Sequence, residues 1–153
     1  MINVKEFRIG NFLLADQSIQ RVCLINNDTG PEANPGIGYE FEGDCRYEYQ
    51  CSPKLAAVPL SDALLQLLGF RFHPYFKLWQ RTRLDGSYSI ELDHDYTALD
   101  FSHRPIVKNI KYLHILQNLF FIVQGEELVE DSHSGLTELH SADGLKQYFV
   151  SDN

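Results

Sequence analysis

Residues 111–128 constrain the fold more than any other part of this sequence. Lys111, His114 and Asn118 recur at helical spacing along one narrow polar stripe, and the rest of the helical surface is apolar. Gly125 stands where a helix ends in a left-handed cap. The pattern predicts an amphipathic helix over 111–124 that belongs to the core, because so wide an apolar surface has to be buried on more than one side.

A second, shorter helix is predicted near residues 61–68. Ser61 is a favourable N-cap, and Leu60 before it can pack against Leu65 in the first turns. Gly69 then ends the helix. These start and stop signals therefore enclose a helix of about two turns.

Alternating apolar and polar residues predict antiparallel strands elsewhere. Residues 6–26 indicate two strands that turn through residues 15–18. Further strands are predicted at residues 46–50, at residues 106–107, and in a hairpin over 76–93 with Asp85-Gly86 at its tip. Residues 27–43 are rich in Gly, Pro, Asn and Asp, and this composition indicates a long loop.

Together these elements predict an α+β fold. We expect an antiparallel sheet, in one version curled into a small barrel at its N-terminal end, with both helices packed on one side. With 153 residues, 44% of them hydrophobic, the chain suits one globular domain with its own core, which we place at residues 1–130. Residues 131–153 are expected to form an acidic C-terminal tail that is partly docked through its few apolar side chains.

Composition and charge argue against several classes of protein. No stretch is apolar enough for a signal peptide or a membrane span, which indicates a cytoplasmic protein without a membrane partner. The net charge of −8 makes nucleic acid an unfavourable partner, because such binding grows with the number of phosphates neutralised. The three cysteines form no Cys-x-x-Cys pair, and we expect reduced thiols rather than a disulfide or a metal site.

Three segments resemble, in this order, a family of small uncharacterised proteins from bacterial prophages and mobile elements. Residues 7–12, Phe-Arg-Ile-Gly-Asn-Phe, are similar to the Leu-Arg-Ile-Gly-Asn-Trp of their opening strand, and residues 58–70 are similar to their Ile-Pro-Leu-Thr-x-x-x-Leu-x-x-Phe-Gly-Phe helix. Residues 110–128 resemble their most specific motif, Lys-Tyr-Val-His-x-Leu-Gln-Asn-Leu-Tyr-Phe-x-Leu-x-Gly-Glu-Glu-Leu. The resemblance implies a small accessory protein of mobile DNA and brings no catalytic residues with it.

Basic and aromatic residues are interleaved between residues 70 and 83, as a surface that binds single-stranded nucleic acid would require. The alternative, which we favour, is a core strand whose alternate aromatic side chains point inward while Arg and Lys extend to solvent. The candidate binding residues of this segment are Arg71, Tyr75, Lys77, Arg81 and Arg83.

His114 and Asn118 are the other candidate binding residues, on the polar edge of the long helix. They suit a recognition surface, or a general base at His114. We favour a structural role in which they bind neighbouring backbone groups, because no candidate nucleophile accompanies His114 in a motif.

Residues 91–103 gather oxygen and imidazole ligands that a metal-dependent hydrolase could use. Along a strand, however, Glu91, Asp93 and Asp95 fall on the face opposite Leu92, where ordinary solvated side chains belong. We therefore predict neither a metal nor a cofactor.

These observations favour a non-enzymatic accessory or protein-interaction protein of the prophage or mobile-element type. It would act on an unknown protein partner or by self-association. A nucleic-acid-binding module that uses residues 70–83 is the first alternative, and a metal-dependent hydrolase is the second.

Overall fold

The computed structural model describes residues 2–28, 33–82, 88–100 and 102–128. It confirms an α+β fold with antiparallel sheets, one of them strongly curled. The chain divides into two compact units. The first contains the described residues of Met1–Val58 together with Leu113–Asn118, and the second contains those of Pro59–Tyr112 and Leu119–Thr137.

The first unit contains a five-stranded sheet in the order β4-β3-β2-β1-β5. Its strands are β1 (Phe12–Ala15), β2 (Ser18–Asn26), β3 (Gly36–Phe41), β4 (Asp44–Tyr49) and β5 (Leu55–Ala56). The predicted pair of strands within residues 6–26 is confirmed, since β1 and β2 pair through a turn in which Asp16 and Gln17 have φ of 49° and 67°. Two successive left-handed residues match the twist of the flanking strands.

β1 begins later than predicted, because the chain before it forms a short 3₁₀ helix at Val4–Glu6. The side chain of Asn3 caps this turn by accepting a hydrogen bond from the Lys5 amide. Phe7, which we expected in the first strand, instead lies buried after the turn.

The predicted loop over residues 27–43 is wrong for its second half, which is strand β3. Ile37 and Tyr39 pair with Ile25 and Val22 of β2, and both are buried in the core. The alternate positions are glycines, and these suggested a loop because glycine weakens an isolated strand.

The expectation of three reduced cysteines is also wrong, because Cys23 and Cys45 form a disulfide with an S–S distance of 2.03 Å. Cys51 is free and exposed. The pairing depends on β3, which brings β2 and β4 together and which the sequence pattern did not indicate.

A single apolar cluster fills the first unit. Its buried members come from the N-terminal segment and from four strands: Ile2, Val4, Phe7, Leu13, Ala15, Val22, Ile37, Tyr39 and Leu55. The N-terminal segment Ile-Asn-Val-Lys-Glu-Phe therefore supplies three of the nine buried side chains of this cluster, and the strands supply the other six.

The second unit contains a five-stranded sheet in the order β10-β9-β8-β7-β6. Its strands are β6 (Arg71–His73), β7 (Leu78–Thr82), β8 (Tyr88–Asp93), β9 (Ala98–Leu99) and β10 (Pro105–Val107). Antiparallel pairing of β7 with β8 confirms the predicted hairpin, whose tip at residues 85–86 lies outside the described residues. Adjacent Leu78 and Trp79 are both buried, and the strand register shifts between Gln80 and Thr82.

Helix α1 (Asp62–Leu67) confirms the predicted short helix. The Ser61 hydroxyl accepts a hydrogen bond of 3.2 Å from the Leu64 amide, as an N-cap does. Gly69 has a φ of 80°, and the Phe70 amide closes the end by donating to the Leu65 carbonyl at 2.9 Å.

Helix α2 (Leu113–Gln124) confirms the predicted long helix but begins two positions later than expected. Tyr112 is extended and forms an isolated bridge with Pro59, so the first helical residue is Leu113. Gly125 has a φ of 71° and donates its amide to the Phe121 carbonyl at 2.8 Å, which is the left-handed cap.

None of the helices in the described ranges is long and apolar enough to cross a membrane. The predicted boundary at residue 130 and the acidic tail at 131–153 lie outside the described residues and stay predictions.

Candidate functional site

The hairpin formed by β6 and β7 carries several of the exposed aromatic side chains in the described part of the second unit. Phe72 faces Trp79 across the two strands, and His73 faces Leu78. Lys77, the last residue of the turn at 74–77, has a φ of 55° in the left-handed region. We call residues 71–80 the aromatic hairpin.

Three aromatic side chains of this hairpin are exposed. Tyr75 is 84% exposed, Phe76 57% and Phe72 42%. Trp79 and Leu78 are buried. Our preferred interpretation, in which alternate aromatic residues of this segment point inward, therefore holds for Phe70 and Trp79, which are buried, and does not hold for these three exposed rings.

The rings of the aromatic hairpin contact one another. Phe76 lies 4.7 Å from His73 and meets Tyr75 edge-on at 5.0 Å, measured between ring centroids. Phe72 lies 5.2 Å from Trp79. Centroid distances of this size are typical of favourable aromatic contacts.

The charge of the aromatic hairpin is positive. Arg71 and Lys77 are both exposed, and no acidic residue occurs between residues 71 and 80. This short segment therefore differs in sign from the chain as a whole, whose net charge is −8.

The remaining candidates of residues 70–83 do not extend this basic surface. The Arg81 guanidinium lies over the ring of Phe120, 5.3 Å from its centroid, and the residue is partly buried. Arg81 thus packs on α2 and stabilises it by a cation–π contact. Arg83 lies outside the described residues.

The structure places His114 in the interior of the first unit and leaves Asn118 partly exposed. His114 is 1% exposed, stacks on Phe7 with a centroid distance of 4.0 Å, and places its Nε2 3.6 Å from a carboxylate oxygen of Glu6. Asn118 donates its amide to the Glu6 carbonyl at 2.8 Å. Burial lowers the pKa of His114, and the nearby Glu6 carboxylate opposes that shift only in part.

Gln117, which we did not select as a site residue, completes the same arrangement. Its side-chain oxygen accepts a hydrogen bond of 2.9 Å from the Phe12 amide at the start of β1. The polar edge of α2 within the first unit therefore binds the backbone of the N-terminal segment. This agrees with the structural role that we favoured from the sequence, in which these side chains bind neighbouring backbone groups.

The acidic and histidine residues between 91 and 103 lie in the second half of β8 and in the turns that follow it, and Glu91 places a carboxylate oxygen 3.3 Å from the Nε2 of His103. Asp93 accepts hydrogen bonds from the amides of Asp95 and Thr97, and Asp100 accepts them from Ser102 and Arg104. Across residues 2–28, 33–82, 88–100 and 102–128, no group of three or more His, Cys, Asp or Glu side chains could hold a metal ion.

Tyr96 lies in the same segment and has a perturbed pKa. Its hydroxyl donates to a carboxylate oxygen of Asp62 at 2.7 Å. Burial and that carboxylate raise the pKa of Tyr96 to about 12, so the phenol stays protonated at neutral pH and joins the loop to the start of α1.

Two residues of the aromatic hairpin, Phe72 and Phe76, were absent from the residues selected by sequence. Pro74 is the sequence signal that could have indicated the exposure of Phe76. A proline between two short strands indicates a turn, and side chains in a turn, here those of Tyr75 and Phe76, are not buried by strand alternation.

Comparison with protein-family models, with curated proteins and with solved structures finds no match to this chain. The resemblance to mobile-element proteins therefore stays a prediction.

Proposed function

We propose that the chain is a non-enzymatic accessory protein, of the mobile-element type that its sequence resembles, which binds an acidic partner protein through the aromatic hairpin. The observation that carries the proposal is the exposure of three large aromatic side chains, those of Phe72, Tyr75 and Phe76, on one short hairpin. Aromatic side chains are enriched where proteins bind one another.

The charge of the hairpin supports an acidic partner. Arg71 and Lys77 flank the exposed rings, and a partner with carboxylates at the rim of an apolar contact would pair with both. Because the rest of the chain is strongly acidic, such a partner would also be steered away from other faces.

A protein is favoured over single-stranded nucleic acid by the same geometry. Stacking of bases requires open ring faces, whereas the ring of Phe76 is in contact with both His73 and Tyr75. Of the cations selected from residues 70–83, the described and exposed ones are Arg71 and Lys77, and two contacts would neutralise few phosphates.

A non-enzymatic role is supported by the positions of the polar side chains. Asp93 and Asp100 cap turns, Tyr96 bonds Asp62, and Asn118 binds backbone. Each of these groups has a structural partner in the folded chain.

The test compares three forms of the full chain as affinity baits in cells of the native host. These are the wild type, Tyr75→Ser/Phe76→Ser, and the matched control Ile106→Ser, which changes an exposed apolar residue on β10 of the same unit. We expect one partner that is retained at high salt by the wild type and the control and is lost from the hairpin variant.

The identified partner is then purified and titrated calorimetrically against the same three proteins. Loss of two aromatic anchors is expected to weaken binding by about 30-fold or more. Charge reversal in Arg71→Glu/Lys77→Glu is expected to slow association and to reduce its salt dependence. A partner that binds the hairpin variant as tightly as the wild type would place the interaction on another surface.

A further inference from the structure

The Cys23–Cys45 disulfide joins strands that are not neighbours. Cys23 lies in β2 and Cys45 in β4, and β3 runs between them in the sheet. Two successive strand spacings cover about 9.6 Å in a flat sheet. The Cα atoms of Cys23 and Cys45 are 6.5 Å apart, so β2 and β4 are held closer than a flat sheet allows.

Gly38 of β3 makes this crossing possible. It pairs with Leu24 of β2 on one side and with Tyr47 of β4 on the other. A Cβ atom built at Gly38 would lie 2.8 Å from the Cys45 sulfur and 3.5 Å from the Cys23 sulfur. The disulfide therefore passes directly over a backbone position at which a side chain would collide with it.

The face of β3 that carries the disulfide is opposite the face that forms the core. Ile37 and Tyr39, on either side of Gly38 in sequence, are buried in the apolar cluster. Since side chains alternate along a strand, the disulfide and Gly38 lie on the other face. Cys45 is exposed and Cys23 is partly exposed, so a reductant can reach the bond.

We propose that the Cys23–Cys45 disulfide is a redox-sensitive clamp that sets the curl of the first sheet. A protein dithiol is the reductant class. Its thiolate attacks one sulfur to form a mixed disulfide, and its second thiol releases the protein as two thiols. Two electrons and two protons pass to Cys23 and Cys45, and the dithiol becomes a disulfide.

Opening the clamp removes the constraint that crosses β3. β4 then remains bound by its hydrogen bonds to β3 and by the turn at Glu42 and Gly43, both of which have positive φ. β2 and β4 relax toward the ordinary spacing, and Gly38 loses its cover. The core face is unchanged, because the buried contacts of Ile37 and Tyr39 do not involve the sulfur atoms.

The test uses the full chain purified without reductant and alkylated before and after treatment with dithiothreitol. We expect one modifiable thiol before treatment, at Cys51, and three after it. Hydrogen exchange measured by mass spectrometry is expected to accelerate at least tenfold on reduction in peptides that cover residues 36–49. Peptides that cover β7 and β8 are expected to exchange unchanged, and reoxidation by glutathione disulfide is expected to restore protection.

Two variants complete the experiment. Cys23→Ser/Cys45→Ser is expected to show the reduced exchange pattern with and without dithiothreitol, and the control Cys51→Ser is expected to respond as the wild type does. Three modifiable thiols in protein prepared without reductant would overturn the proposal. The proposal would also be overturned if the exchange rates over residues 36–49 agreed within twofold between the oxidised and the reduced wild type. This comparison does not depend on the double variant, and it decides the question even if that variant does not fold.

Discussion

Two amide side chains of α2, those of Gln117 and Asn118, hold the N-terminal segment of the first unit through its backbone. Gln117 accepts from the Phe12 amide and Asn118 donates to the Glu6 carbonyl. A buried backbone group that loses such a partner costs about 1–3 kcal/mol. These residues therefore contribute to the order of the segment that precedes β1, and that segment supplies Phe7 to the core.

His114 gives this arrangement a dependence on pH. Its pKa in the folded protein is lowered by burial, and the unfolded chain has the ordinary value near 6.5. As the pH falls below about 6.5, the unfolded state binds a proton that the folded state resists, so stability is lost in that range. Above that range the imidazole is neutral in both states and has no effect.

We predict that His114→Gln abolishes this loss. The free energy of unfolding in urea is measured between pH 7.5 and 5.0 for the wild type and the variant. The wild type is expected to lose more stability than the variant as the pH falls, whatever their difference at pH 7.5. Parallel pH profiles would show that protonation of His114 is not linked to unfolding.

The sequence predicted that these residues share one edge of a helix but could not show what they bind. The partner of Gln117 lies 105 residues away, and no periodicity reports such a pairing. The same holds for Cys23 and Cys45, whose bond depends on a strand between them. Contacts between residues distant in sequence follow from topology, which local pattern leaves open.

At the scale of elements, α2 and β3 show why one was predicted and the other missed. α2 has a wide apolar surface and a glycine cap, and both signals lie within the helix itself. β3 alternates Gly36 and Gly38 with buried Ile37 and Tyr39. Glycine is required at both positions because a side chain would collide with a neighbour, which is the Tyr47 ring at Gly36 and the disulfide at Gly38. The same glycines make the segment look like a loop in the sequence, and for that reason β3 was missed.

The sequence analysis selected residues 70–83 as a candidate binding segment and favoured a core strand, whereas the structure divides most of this segment between β6, a turn and β7. β6 contains only Arg71–His73, and Tyr75 and Phe76 lie in the turn, where strand alternation does not bury them. The length of β6 is set by its pairing with β7, and it cannot be predicted from the residues of β6 alone.

We predict that α2 is essential to the stability of the protein through Phe120. This side chain is buried and carries the Arg81 guanidinium over its ring. Phe120→Ala leaves a cavity and is expected to lower the free energy of unfolding by about 3–5 kcal/mol. The matched control is Phe121→Ala, one position along on the exposed side of the helix, with an expected cost below about 1 kcal/mol. Equal melting temperatures for the two variants would show that the second half of α2 is peripheral.

At the scale of the whole molecule, the net charge of the chain favours a protein partner over nucleic acid. The chain carries a net charge of −8, and residues 126–153 contain seven acidic side chains against one lysine. Arg71 and Lys77 are exposed cations of the aromatic hairpin. Two cations can pair with carboxylates of a protein partner, whereas a polyanion gains little from two contacts and is disfavoured by the net negative charge of the chain.

We therefore predict that the wild type does not bind labelled single- or double-stranded oligonucleotides appreciably at physiological salt, with a Kd weaker than about 100 µM. Fluorescence anisotropy is measured for the wild type, for Arg71→Ala/Lys77→Ala, and for the control Lys108→Ala, an exposed cation of the same unit. All three are expected to give flat titrations, because two phosphate contacts yield little affinity and a salt slope of only about −1.4 for single strands and about −1.8 for double strands. Micromolar binding by the wild type and the control that disappears in Arg71→Ala/Lys77→Ala would instead assign the aromatic hairpin to a nucleic-acid ligand. The exposed rings would then serve as stacking platforms for bases rather than as anchors for a protein.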